Sequence, residues 1–80
     1  MKIYDYNGRK NLCGRRVREA RRKLHISQTD LAARLQVAGI ILERDSLSRI
    51  EAGTRFVADY ELKALAEILK VDLLWLLDET

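Results

Sequence analysis

Residue types that do covalent chemistry are nearly missing from this 80-residue chain, which holds one histidine, His25, and one cysteine, Cys13. One of each cannot supply a metal site, nor a nucleophile with a base and a third group to orient that base. No glycine-rich phosphate loop is present. His25 falls where a helix should stop, and a histidine tolerates the left-handed conformation there better than a branched residue does. Cys13 reads as a small core residue rather than a redox sensor. The residues therefore predict no enzyme, no cofactor and no metal. What the chain has in quantity is positive charge, unevenly placed. Residues 1–40 carry ten Lys/Arg against three Asp/Glu, a balance of +7, whereas residues 41–80 carry five against nine, a balance of −4. A basic half on a small domain suits a polyanionic partner, although a solvated charged face gives the same count.

The elements that must position these charges are those of one small domain. Apolar residues make up 48% and charged residues 34% of the chain, enough for a core and too apolar for disorder. The core of so short a chain is small, so oligomerisation could add stability. The longest apolar run, Leu73 to Leu77, falls far short of the ~18 residues of a membrane helix. No stretch has the layout of a signal peptide, and a single cysteine gives no internal disulfide. A cytoplasmic location is expected.

Residues 1–11 differ from the rest. Ile3, Tyr4 and Tyr6 are β-formers and Asn7-Gly8 is a turn signal, but Arg9-Lys10-Asn11 makes a poor second strand. This segment reads as a partly extended arm, anchored on the core by Tyr4 or Tyr6. The remainder reads as five helices. The first, about Leu12 to Leu24, has Cys13, Val17, Ala20 and Leu24 in one stripe and Arg15, Arg16, Arg18, Arg22 and Lys23 around the rest. The second has the clearest start, with Ser27 and Asp30 spaced as a capping box and Ile26 and Leu31 as a hydrophobic staple. Its inward residues are Leu31, Ala32 and Leu35, and it should end between Gln36 and Gly39. A third, about Glu43 to Ala52, turns Leu47 and Ile50 inward and stops at Gly53. A fourth, about Asp59 to Lys70, buries Leu62, Leu65, Ala66 and Leu69. Asp72 is placed to cap a short fifth, Leu73 to Leu77. Five short helices and no strand pattern predict an all-α domain.

Gln28, Leu31-Ala32, Leu47-Ser48-Arg49-Ile50-Glu51 and Gly53 together resemble the Cro/repressor-type helix-turn-helix family, also called XRE-like. The likeness covers about Cys13 to Leu77. It implies a compact five-helix lambda-repressor-like domain, residues 12–80, behind a short N-terminal arm, residues 1–11. It further implies a transcriptional regulator, most simply a repressor, that binds double-stranded DNA. In such proteins the second motif helix enters the major groove, where each base pair shows a distinct donor–acceptor pattern. The matching positions imply DNA contacts from Gln28, Thr29, Arg44, Asp45, Ser46, Arg49, Thr54 and Arg55. Gln28 stands at a helix start, whose amides favour phosphate. Arg44 or Arg49 could grip a guanine edge, while Asp45 could accept from cytosine or hold a neighbouring arginine. The resemblance also pairs Arg21 of the first helix with Glu51 of the third.

One departure stands out. The stretch between Gln36 and Leu47 exceeds the family's usual connection by about five residues, and the excess, Val37 to Leu42, is apolar. It is expected to lengthen the second helix and fold a loop onto the core. Glu43 and Ala58 also fall where a capping hydroxyl or Asp is common. Five consecutive apolar residues, Leu73 to Leu77, cannot all face one core. Leu74, Trp75 and Leu77 are thus a candidate dimer interface, which would place two recognition helices on a palindromic site as a homodimer. The rival function is a protein-interaction module, such as an antitoxin-like partner with weak or lost DNA binding. RNA binding is disfavoured, since no aromatic platform is evident.

Overall fold

Apolar residues recurring at helical spacing form five helices in the computed structural model, which describes residues 6–78. These are α1 (Gly14–Lys23), α2 (Gln28–Val37), α3 (Arg44–Ala52), α4 (Asp59–Leu69) and α5 (Leu73–Leu76). Among the described residues the one β-bridge joins Tyr6 to Arg9. Helix α1 packs on α3, α4 and α5, α2 packs on α3 and α4, and α5 lies against α4. Their inward stripes meet in one core of Cys13, Val17, Ala20, Leu31, Leu35, Leu47, Ile50, Leu65, Leu69 and Leu76, with Ile26, Leu42, Ala64 and Ala66. Each large aliphatic side chain buried there contributes roughly 1.5–3 kcal/mol. The expected stripes of α1 to α3 face the core, with Leu24 and Ala32 half-buried at their margins. On α4 the stripe is rotated slightly, because Ala64 is buried and Leu62 only half-buried.

Helix ends follow local chemistry. At the start of α2 the Asp30 amide donates to Ser27 Oγ at 3.0 Å, and the Ser27 amide donates to an Asp30 carboxylate oxygen at 3.0 Å. These hydrogen bonds from Ser27 hold the Asp30 carboxyl below its ordinary range. Helix α4 starts without a hydroxyl cap at Ala58, but the Ala58 amide donates to Glu61 Oε1 at 2.9 Å. Glu43 and Asp72 occupy the N-cap positions of α3 and α5 without a side-chain hydrogen bond, so Asp72 does not cap as its type predicts.

The four longer helices all end alike. His25, Gly39, Gly53 and Lys70 adopt left-handed backbone, with φ of 57, 87, 82 and 59°. Each donates back to the carbonyl three residues earlier, and the next residue donates back to the carbonyl five residues earlier, the paired bonds of a Schellman motif. The left-handed histidine and the glycine stop of α3 follow from residue type. Lys70 has no such signal, since a side chain there costs energy that only the surrounding packing can offset.

The connection between α2 and α3 is loop, not helix, from Ala38 to Glu43. Leu42 is buried and Ile40 packs against the core, whereas Val37 is 91% and Ile41 67% exposed. The apolar excess is thus divided, two residues inward and two outward. Tyr4 lies outside the described residues. Tyr6 is 54% exposed and does not anchor the N-terminal segment. Polar bonds from residues 9–11 do so instead, for the reason that follows.

Candidate nucleic-acid interface

Leu47 and Ile50 turn one side of α3 into the core, which leaves the opposite side in solvent. That outer side carries Arg44, Asp45, Ser48, Arg49 and Ala52, all exposed, with Ser46 half-buried beside them. Asp45, Ser48, Arg49 and Ala52 stand at helical spacing i, i+3, i+4 and i+7 and form one stripe. Ser48 and Ala52 belong to this stripe but escaped the motif-based expectation. Their spacing from Asp45 was the signal that could have found them. Arg44 Nη1 lies 3.8 Å from Asp45 Oδ1, a fully solvated contact that contributes little to stability. No ion pair holds Arg49 among the described residues.

Three elements meet at the C-terminal end of this helix. Arg21 of α1 donates from Nε to Glu51 Oε2 at 2.8 Å and from Nη2 to Oε1 at 3.0 Å. Its Nη1 donates to the Ile26 carbonyl at 2.9 Å, and Gln28 Nε2 of α2 donates to Glu51 Oε1 at 3.1 Å. The two-pronged bond to Glu51 raises the Arg21 pKa and keeps its guanidinium charged. The side chains of Arg21 and Glu51 are only 12% and 5% exposed. A pair this buried gains little net energy but is costly to break, since one charge would then be stranded. The network therefore ties α1, α2 and α3 at one point. Gln28 spends one amide hydrogen on it.

The N-terminal segment closes the same end from the other side. Asn7 and Gly8 both have positive φ, 51 and 80°, as a tight hairpin turn requires. The turn returns the chain so that the Lys10 amide donates to the Gly53 carbonyl at 2.8 Å. Asn11 Nδ2 donates to the carbonyls of Ile50 (3.1 Å) and Arg55 (2.8 Å), and Asn11 Oδ1 accepts from the Gly14 amide at 2.8 Å. Arg9 Nη2 reaches the Glu51 carbonyl at 3.5 Å, placing a cation at the negative end of the helix dipole. A Cβ at Gly14 would overlap the Ile50 carbonyl oxygen, and one at Gly53 would overlap the Arg9 guanidinium. Gly14 thus permits a backbone contact that a larger residue would block, whereas at Gly53 the Arg9 side chain could move and the positive φ is what favours glycine.

Beyond Gly53, Thr54 is exposed, and both its amide and its hydroxyl donate to the Arg49 carbonyl, at 2.9 and 3.3 Å. Arg55 is half-buried and committed inward. It donates to Glu61 Oε1 at 3.0 Å, to Glu61 Oε2 at 3.3 Å and to the Phe56 carbonyl at 2.9 Å. Burial pushes the Glu61 carboxyl up, but the bonds from Arg55 and the Ala58 amide outweigh it and hold the pKa below the ordinary range. This second buried pair was not foreseen; Glu61, three residues after a cap lacking a hydroxyl, was its available signal. Thr29 is exposed at the start of α2.

Away from this face, α5 buries Leu76 and leaves Leu74 74% and Leu73 41% exposed. Trp75 and Leu77 are half-buried, and the Trp75 ring lies under the Arg16 guanidinium at 4.5 Å. Cys13 is buried, and desolvation pushes its thiol up to about 11, which keeps it protonated and unreactive near neutral pH. Among the described residues no cluster of His, Cys, Asp and Glu could hold a metal ion, and no helix is long and apolar enough to cross a membrane.

The family model of a helix-turn-helix domain matches residues 14–80. No match was found among curated proteins or solved structures. The matched span takes in all five helices, including the two motif helices and the Arg21, Gln28 and Glu51 network, but not Arg9, Lys10 and Asn11. By its motif residues, its all-helical architecture and this match, the chain belongs to the helix-turn-helix domain family.

Proposed function

We propose that this protein is a sequence-specific regulator of transcription, a repressor, that binds double-stranded DNA through α2 and α3. One observation carries the reading: α3 presents an exposed, largely polar stripe while its C-terminal end is tied to α1 and α2 through Arg21, Gln28 and Glu51. A helix held in this way can enter a major groove with little further ordering, so little conformational entropy is lost on binding. Arg44, Asp45, Ser46 and Arg49 are assigned to base edges. Gln28 and Thr29 are assigned to phosphates, as are Thr54, once its hydroxyl turns from the Arg49 carbonyl, and Arg55 through the guanidinium hydrogens that Glu61 and the Phe56 carbonyl leave over. Residues 12–80 form the binding domain, and residues 1–11 serve as an arm whose last three residues brace α3. The protein acts in the cytoplasm and needs no cofactor.

The exposed Leu74, with Trp75 and Leu77 beside it, supports a homodimer through α5. Such a dimer would set two copies of α3 about 34 Å apart on a palindromic site. The same exposed leucines favour the second reading, an antitoxin-like interaction module. Selection of bound duplexes from a random pool, with affinity followed against salt, separates the two. A regulator yields an enriched palindrome and a steep loss of affinity with salt. Negligible binding at low salt overturns the DNA reading. Within it, Arg49→Ala is expected to relax base preference by roughly 1–3 kcal/mol at one position of each half-site. Light scattering of Leu74→Glu tests the dimer, and an unchanged mass removes that interface.

A further inference from the structure

Arg15, Arg18 and Arg22 lie on the side of α1 that faces away from the core. Taking Arg18 as reference, a 100° step per residue puts Arg22 and Arg15 about 40° and 60° away, while Val17 and Ala20 point to the opposite side. All three arginines are exposed, and none makes an ion pair or hydrogen bond among the described residues. The acid on α1, Glu19, is held by Lys23 at 3.5 Å. Like charges three and four residues apart repel and weaken a helix. Of the three, only Arg22 has a visible use in the fold, in the last turn of α1 where a cation suits the helix dipole; the packing and long-range pairing of α1 rest on Val17, Ala20, Arg16 and Arg21.

Their position gives the cluster a use. Arg21 stands about 60° from Arg18 on the other side, so the ridge runs beside the residue that binds Glu51. Arg15, Arg18 and Arg22, with Glu19 and Lys23, line a shallow depression that also includes Glu51, at the C-terminal end of α3. Seven residues of helix separate Arg15 from Arg22, about 10 Å, close to three base-pair steps of a duplex at about 3.4 Å each. Exposed apolar side chains, Tyr6 and Leu12, line a neighbouring depression with Arg15 but not with Arg18 or Arg22, so they touch only one end of the ridge. We propose that Arg15, Arg18 and Arg22 form a phosphate-binding ridge that extends the duplex contact from the recognition helix along α1. The proposal rests on the DNA-binding reading above. Its contacts are to backbone, so the ridge adds affinity without base preference.

The test is the triple variant Arg15→Gln/Arg18→Gln/Arg22→Gln, titrated against a random-sequence duplex across a range of salt. Loss of up to three phosphate contacts should make the slope of log affinity against log salt shallower by about 2–3. The sequence selected from a random pool should stay the same, and the melting temperature should stay level or rise as repulsion is relieved. The double variant Lys63→Gln/Lys70→Gln, two exposed lysines on and just after α4, serves as the control for net charge. An unchanged slope in the triple variant, with wild-type binding intact, overturns the ridge and leaves the helix-turn-helix reading standing. An equal change per charge in the control overturns it as well, because the effect would then be one of total charge. A drop in melting temperature shows that the arginines are structural and overturns it. If the wild type does not bind duplex at low salt, ridge and DNA reading fall together.

Discussion

The two ends of α3 are held in opposite ways. At the C-terminal end a left-handed glycine closes the helix, Glu51 binds Arg21 and Gln28, and Arg9, Lys10 and Asn11 bond to backbone carbonyls from Ile50 to Arg55. At the N-terminal end Glu43 provides no cap and Arg44 and Asp45 are solvated. The preceding loop leaves Ile41 exposed. Pinning one end sets the direction of the helix. The other end is held by packing alone, of Ile40 and Leu42 against the core, so the exposed residues nearest its start, which are proposed to read bases, can vary without loss of the fold. A long connection is tolerated at that end for the same reason, since lengthening a surface loop costs little.

This contrast can be broken most severely at Glu51. Glu51→Ala leaves Arg21 buried and unpaired, and chemical denaturation should report a loss of about 3–5 kcal/mol. A loss under 1 kcal/mol would mean that the pair does not hold the helix. Next comes Asn11→Ala, which removes the donor shared by the Ile50 and Arg55 carbonyls. The Ile50 carbonyl keeps the Gly53 amide, but the Arg55 carbonyl and the Gly14 amide lose the Asn11 side chain, which should cost about 1–3 kcal/mol, and amide exchange should rise near Gly53 rather than near Arg44. Uniform exchange along α3 would erase the distinction between its ends.

At the loose end the expected effects are smaller, and one has the opposite sign. Glu43→Ser supplies the missing N-cap acceptor and should stabilise the fold by about 0.5–2 kcal/mol. Destabilisation would show that Glu43 already does work that its geometry hides. Ile41→Lys replaces a side chain that is 67% exposed, and its effect on stability should stay within about 0.5 kcal/mol. A larger loss would place Ile41 in an interface, with the mass of the protein in solution as the readout.

Legibility in the sequence followed distance along the chain. The Ser27–Asp30 box and the stripes of Leu31 and Leu35, or Leu47 and Ile50, are set within one or two turns, and each stands where its residues predict. Helix ends were legible where residue type announced them, at His25 and Gly53, and not at Lys70. In the interface, the family resemblance implied outward positions for Arg44, Asp45 and Arg49, but not how far Gln28 and Arg55 are spent on protein acceptors. For the N-terminal segment, residue types predict an arm hung on a tyrosine. In the structure, residues 9–11 are bonded to atoms some forty positions away.

The sequence alone determined that this is an all-helical domain of the helix-turn-helix kind, with five elements and two motif helices in order. Periodicity, caps and glycine stops act between residues a few positions apart, so they can be read without knowing where the chain goes. Only the tertiary structure decided which charges are free and which are bound. Arg21, Arg55 and Arg9 are as basic as Arg15, Arg18 and Arg49 in the sequence. They differ because folding brings a carboxylate or a carbonyl to the first three and leaves the others in water. A buried polar group has to find a partner, whereas an exposed one already has solvent, so the division between structural and ligand-facing arginines is made by the fold.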